Sequence, residues 1–402
     1  MQQARRRLRT SFAVALCAFA GAVWAQSGAG IPVGVVGPFS GPSSDFGKPM
    51  LQGIQMAIDE VNAAGGYLGR PFTLVVKDDK GDPDTGLKVA QELVAEKVIA
   101  TLGFCNTGVA MKALDAFQNG QMPLIVPCST GSPVTAKYPA AQSYIFRNSP
   151  SDTIQAPFVV DDILKRGWSK VAVFADTTGY GEAGLKDVVA ALAAHQIKPV
   201  YVARFALGAK DLRKELQEAR EAGAQVVFSY TVGEENATIA LGRRDLGWKV
   251  PQVGAWPLSF PFFIDGAKDA AEGALMAQSF IAEPSNERRR AFLAGFKRKY
   301  GEKMAVPMAA AQGYDAAYLL TYALLGIHDG RLDGPAVKKA LENIQTVYYG
   351  VIATYEHPFD AQNKEALSAN MLVMGKVQNG AITFAYPEDA KRSIFVQRKK
   401  VP

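Results

Sequence analysis

Along this chain, short apolar runs alternate with amphipathic stretches, and the two differ in period. IPVGVVGPF from Ile31, FTLVVKDD from Phe72, VIATLGF from Val98 and PLIVPC from Pro123 are apolar runs bounded by turn residues. Runs of that length and continuity mark strands buried on both faces. Between the first two, Leu51, Ile54, Ile58 and Val61 recur at helical spacing, and Gly65-Gly66 end the pattern. A second helix is expected near Asp82-Pro83, where an early proline leaves no needed N–H unpaired. A third is expected after Thr107-Gly108, carrying Val109, Leu114 and Phe117.

The same order then restarts. VAVFADTT from Val171, PVYVARF from Pro199, QVVFSYT from Gln225 and PQVGAW from Pro251 read as strands with helical patterns between them. This alternation predicts an α/β fold with mostly parallel sheets flanked by helices. Two series of similar size predict two lobes rather than one large sheet. YIFRNSPSD from Tyr144 lies between the series and reads as the first crossover. Later, Phe292 to Tyr300 and Tyr314 to Leu325 are helical patterns, and short strands follow Val347.

The N-terminal pattern is of another kind. Arg5, Arg6, Arg7 and Arg9 precede an apolar stretch from Ser11 to Ala22, and Val23-Trp24-Ala25 offers a cleavage site before Gln26. That is the layout of a secretory signal peptide over residues 1–25. The stretch is shorter than the roughly 20 residues a spanning helix needs. Cys17 follows Leu16, where a lipoprotein would carry a small residue. Removal of the leader changes the charge. The chain holds 44 Lys+Arg against 38 Asp+Glu; the four leader arginines leave with no acid, so the mature chain is 40 against 38, or +2. Such a balance carries no nucleic-acid footprint.

Export also frames the cysteines. Cys105 and Cys128 remain after cleavage, both at the ends of apolar runs, and a disulfide or two buried thiols both satisfy the sequence. His195, His328 and His357 lack metal-ligand spacing. Asp78, Asp79, Asp82 and Asp84 fail the calcium-loop pattern and read as a strand end and a helix start. No phosphate loop, dinucleotide fingerprint or nucleophile elbow is present, so neither catalysis nor a cofactor is expected.

In open parallel sheets, ligands bind beyond the carboxyl ends of the strands. The residues just after each strand run are therefore the candidates. They are Phe46 in SGPSSDFG, Asn106-Thr107-Gly108, Cys128-Ser129-Thr130, Tyr180 in TTGYG, Tyr230, and Trp256-Pro257. Thr107 and Thr130 are hydroxyls at helix-start or turn positions, where free N–H groups favour a carboxylate. Each alone suits an ordinary cap. Two such clusters on neighbouring strand ends, faced by Tyr180, Tyr230 and Trp256, point to a site.

At these residues the chain resembles the periplasmic leucine/isoleucine/valine-binding proteins of ABC importers. The resemblance lies in VGVVGPFSGPSSDFGKPMLQGIQMAIDEVNAAGGYLGRP, DDKGDPDTG, YIFRNSPSDTIQA, DTTGYGEAG and AQGYDAAYLL, and it covers essentially the whole mature chain. It implies two flavodoxin-like lobes joined by three crossovers, a Venus-flytrap that closes on a small solute. Lobe one would hold residues 26–145 and about 277–348, and lobe two residues 146–276 and about 349–402. It implies a monomer that serves membrane permease subunits.

By the same resemblance, Thr107 falls on the family's carboxylate-binding hydroxyl. Cys128, Ser129 and Thr130 fall on the loop giving a backbone carbonyl and a second hydroxyl. Phe46 and Tyr180 match aromatics of lobes one and two. Where amino-acid binders place a glutamate for the α-ammonium, this chain has Trp256. A buried ammonium without a counter-charge is costly. Either Glu234 or Glu235 in the neighbouring loop takes over, or the ligand is an aromatic or other organic acid with no ammonium. The fold also serves as a ligand sensor for a separate receptor, a third reading.

Overall fold

The computed structural model describes residues 30–301, 303–395 and 397–399, so the leader expected over residues 1–25 lies outside the described residues. The first series runs β1 (Ile31–Gly37), α1 (Ser44–Ala63), β2 (Phe72–Asp78), α2 (Pro83–Ala95), β3 (Thr101–Gly103), α3 (Thr107–Asn119), β4 (Leu124–Val126), α4 (Pro133–Ala136) and β5 (Ile145–Arg147). These strands form one sheet in the order β2-β1-β3-β4-β5, parallel throughout. β5 arises from the segment expected to be only a crossover. Three buried residues, Ile145, Phe146 and Arg147, pair with Leu124 to Val126 before the chain leaves the sheet.

The second series is α5 (Asp152–Lys165), β6 (Val171–Asp176), α6 (Gly179–Ala194), β7 (Tyr201–Phe205), α7 (Arg213–Glu221), β8 (Val226–Tyr230), α8 (Glu235–Asp245), β9 (Gln252–Gly254), α9 (Pro261–Ala267) and β10 (Leu275–Gln278). The chain then makes α10 (Glu287–Tyr300), α11 (Pro307–Leu324), α12 (Gly334–Leu341), a two-strand hairpin of β11 (Tyr348–Tyr349) and β12 (Thr354–Tyr355), and finally β13 (Val373–Gln378) and β14 (Ala381–Phe384). The second sheet has the order β14-β13-β10-β9-β8-β6-β7. Its middle is parallel, and β13 and β14 add antiparallel to one edge. Every residue of β6 and β8 is buried, as a strand covered on both faces requires.

The chain passes between the sheets after β5, after β10 and after β12. Because β5 runs through Arg147 and β10 through Gln278, the first two passages begin a residue or two later than the boundaries expected at 145 and 277. α11 returns to the first sheet by packing along α1, and glycine makes the approach possible. A Cβ on Gly53 would lie 2.0 Å from the Ala310 carbonyl oxygen, and one on Gly313 would lie 2.3 Å from that of Met50. Larger side chains would force the helices apart.

The third passage is pinned by a buried acid. Asp315 of α11 accepts from the Tyr348 and Tyr355 hydroxyls at 2.9 and 3.1 Å and from the Val351 and Ile352 amides at 2.9 Å. Burial raises its carboxyl to about 6, against the lowering by those four donors.

Candidate functional site

The carboxyl ends of both sheets face one partly enclosed cavity of about 280 Å³. From the first sheet come Phe46, Cys105, Asn106, Thr107, Gly108 and Thr130; from the second, Thr178, Gly179, Tyr180, Leu207, Val232, Trp256, Pro257 and Phe260. A larger groove of about 660 Å³ beside α11 and α12 shares no residue with it, and lies at helix ends rather than at strand ends. The strand-end cavity is the site, because that is where a parallel sheet presents its loops and helix N-termini.

Six of the nine firm candidates line it: Phe46, Asn106, Thr107, Thr130, Tyr180 and Trp256. Ser129 stands one layer back, its Oγ 3.1 Å from Thr107 Oγ1. Tyr230 stands behind Tyr180, ring centroids 5.0 Å apart. Cys128 is joined to Cys105, with Cα atoms 4.5 Å apart. That pair staples together the two loops that carry Thr107 and Thr130.

Two helix N-termini converge on the cavity. Asn106 is the N-cap of α3, and Thr107 and Gly108 are its first residues. Opposite, Thr178 caps α6, its Oγ1 accepting from the Tyr180 and Gly181 amides at 3.2 and 3.4 Å. The two termini touch through glycines: a Cβ on Gly179 would lie 3.1 Å from Gly108 Cα. Aromatic rings close the other side. Phe46 of α1 lies 5.0 Å from Phe260 and 6.4 Å from Trp256, whose edge meets Phe260 at 4.7 Å. Contacts between α1 and the β9–α9 loop, and between α3 and α6, make this a closed arrangement.

The cavity lining holds no carboxylate, imidazole, lysine or arginine side chain. Glu234 instead pairs with Lys210 at 2.8 Å in solvent. Glu235 is buried but accepts from Thr231 Oγ1 at 3.3 Å and from the Gly208 amide, closing its own loop. The structure therefore brings neither glutamate to the cavity. Among the described residues no group of side chains is arranged to hold a metal, and no helix is long and apolar enough to cross a membrane.

One acid was missed from sequence. Asp152, first residue of α5, is fully buried; its amide donates to the Thr130 carbonyl at 2.8 Å and its Oδ1 accepts from Gln155 Nε2 at 3.0 Å. Gln155 Oε1 in turn accepts from the Trp256 amide at 3.3 Å. Burial pushes the Asp152 carboxyl up to about 7; the Tyr230 and Thr130 hydroxyls and Arg147 pull it down, and Asp187 adds to the rise. Those hydroxyls lie near enough to act electrostatically without completing a well-formed hydrogen bond. Asp152 Oδ2, Thr130 Oγ1, Tyr180 OH, Tyr230 OH and Asn106 Oδ1 are all buried with no hydrogen-bond partner. Unpartnered buried polar atoms are costly; of these five residues Thr130, Tyr180 and Asn106 line the cavity, and Asp152 and Tyr230 lie behind it. Only the acid at a helix start in NSPSD signalled Asp152, and such acids serve most helices as ordinary first-turn charges.

Two lobes built on mostly parallel sheets and closed over a strand-end cavity are the type I periplasmic binding fold. The family model described as periplasmic binding protein matches residues 30–381, and the chain belongs to that family, whose members bind small solutes for membrane permeases. It is 30% identical over 243 residues to Leu/Ile/Val-binding protein homolog 3 of Brucella melitensis. That match covers 60% of this chain and 64% of the relative, just under two thirds of its length. A type 1 periplasmic binding protein from Bordetella pertussis shares the fold with a TM-score of 0.79 at 20% identity, covering 88% of this chain and 99% of that one. The solute-binding protein of an ABC transporter from R. palustris, in complex with 4-hydroxybenzoate, does so with a TM-score of 0.75 at 22% identity, covering 88% and 94%.

Proposed function

We propose that this chain is the exported substrate-binding component of an ABC importer, capturing a small solute by its carboxylate. One observation carries the reading: two helix N-termini from opposite sheets, with unpartnered hydroxyls beside them, meet over a partly enclosed cavity with no charged lining. Helix N-termini and hydroxyls satisfy a carboxylate without any arginine. Thr107 and Thr130 hold the carboxylate, and Phe46, Tyr180, Tyr230 and Trp256 pack or back the body of the solute. The action is capture without turnover, by a monomer that closes and is then recognised by permease subunits.

Lobe one is taken as residues 26–147 with about 279–355, and lobe two as 148–278 with about 356–402, each passage falling where β5, β10 or β12 ends. Residues 1–25 are taken as the cleaved leader that delivers the protein to the periplasm.

The name of the Brucella relative supports a branched-chain amino acid as the solute. A second reading has its own support. The uncharged lining and the aromatic wall suit an aromatic or other organic acid with no ammonium, and the R. palustris protein holds such an acid on the same fold. A thermal-shift panel on refolded, ligand-free protein decides: leucine, isoleucine and valine against benzoate-type acids. A micromolar ligand at millimolar concentration stabilises by about 4 kcal/mol. Shifts with amino acids alone would remove the aromatic-acid reading; shifts with neither would remove both.

A further inference from the structure

Arg147, the last residue of β5, is fully buried and does not line the cavity. An unpaired buried guanidinium would be prohibitive, so its partners define its role. Its Nη1 donates to the carbonyl oxygens of Thr130 at 3.0 Å and Gly131 at 2.7 Å. Nη2 donates to Thr135 Oγ1 at 3.1 Å and to Glu365, and Nε donates to both Glu365 oxygens at 2.9 and 3.1 Å. All five N–H donors of the planar fork are used.

We propose that the Arg147–Glu365 pair is the positioning device of the ligand loop. It sets where Thr130 presents its hydroxyl and ties that loop to the third passage between the lobes. Two successive carbonyls turned to one guanidinium fix the peptide planes of residues 130 and 131. The first passage holds the same loop: Ser149 Oγ donates to the Ser129 carbonyl at 2.8 Å and the Asp152 amide to that of Thr130 at 2.8 Å. Glu365 sits on the stretch between β12 and β13. There the backbone pairs with Arg147 directly, Arg147 N to Lys364 O and Ala366 N to Arg147 O, each 2.8 Å. A hinge motion that shifts the third passage against the first must therefore move Glu365, Arg147 and the Thr130 loop together. Lysine keeps the charge but cannot span these acceptors, because its donors radiate from one point.

This inference rests on the reading that Thr130 meets the solute, but its test needs no ligand. Hydrogen exchange on the mature, ligand-free chain is compared for wild type, Arg147→Lys and Glu365→Gln. The expected result is exchange about tenfold faster in peptides covering 128–135 in both variants, with the β8 peptide over 226–230 unchanged. Unchanged exchange in both variants would overturn the proposal. So would equal acceleration in both regions, or failure of both variants to fold, since either marks the pair as general stabilisation. Glu365→Gln is the milder change, because that side chain is 26% exposed. Failure here would leave the carboxylate reading standing; failure of Thr130→Val to weaken binding would remove that reading and leave the exchange result intact.

Discussion

Replacing Gly179 with alanine isolates closure from folding. The added Cβ would lie 3.1 Å from Gly108 Cα and 3.2 Å from Gly108 N. Ordinary carbon contacts sit at about 3.5–4.0 Å, and neither neighbour is a flexible side chain that could turn away. The lobes must therefore part by a few tenths of an ångström. Gly179 opens α6, where alanine is at least as good a helix former. The strain falls on the closed form alone. Overpacking of this kind costs about 1–3 kcal/mol, which lowers affinity by about 5- to 150-fold, mostly through faster release. Titration calorimetry with the solute found by the panel reads the affinity, stopped-flow the release rate, and melting of the ligand-free variant the fold. The expected outcome is weakened binding with an unchanged melting temperature. Full affinity, with small-angle scattering showing the closed shape, would refute the claim that these two helix termini meet on closure.

Three further outcomes follow from the same geometry. Thr130→Val removes a hydroxyl that makes no well-formed hydrogen bond within the protein and touches the fold only through its pull on Asp152, so the melting temperature without added solute should change little while binding weakens by about 1–3 kcal/mol; calorimetry checks both. Cys105 and Cys128 should give no free thiol when the mature protein is unfolded without reductant. Reductant should then lower the melting temperature, since bridging 23 residues is worth about 3 kcal/mol; two titratable thiols would contradict the pairing. The Asp152 carboxyl, raised to about 7, binds its proton more tightly folded than unfolded, where it titrates near about 3.9. Its contribution is therefore fully present below about pH 4 and lost as pH rises to about 7. The ligand-free melting temperature should fall over that window, and Asp152→Asn should flatten part of the fall. Asp79, also raised to about 7, and Asp315, raised to about 6, both mainly by burial, leave a residual slope. Parallel curves for the two proteins would exclude Asp152 from the effect.

Periodicity carried most of the fold, because parallel strands buried on both faces are long apolar runs. Eight apolar runs became β1 to β4 and β6 to β9, of which β2 and β7 are partly exposed edge strands. β5 escaped notice because its apolar run is two residues long and ends on an arginine, whereas the equally short β3, β4 and β9 lie within longer apolar runs. β10, β13 and β14 were less legible, since edge and antiparallel additions depend on long-range pairing. At the site, loop position alone located Thr107, Thr130, Tyr180 and Trp256. Side-chain direction was not legible. Glu234 and Glu235 stand beside the right strand end, yet Lys210 and the Gly208 amide claim them. Asp152 and Arg147 are buried charges in a segment that reads as linker, and only the tertiary structure supplies their partners.

The central claim is that the cavity takes a carboxylate at the two facing helix N-termini. Its most direct test compares each stabilising acid with its own primary amide, isosteric but uncharged, in the same thermal-shift assay. The account predicts that the acid stabilises and the amide does not, and that Thr130→Val diminishes the acid's shift. Equal shifts from acid and amide would contradict it.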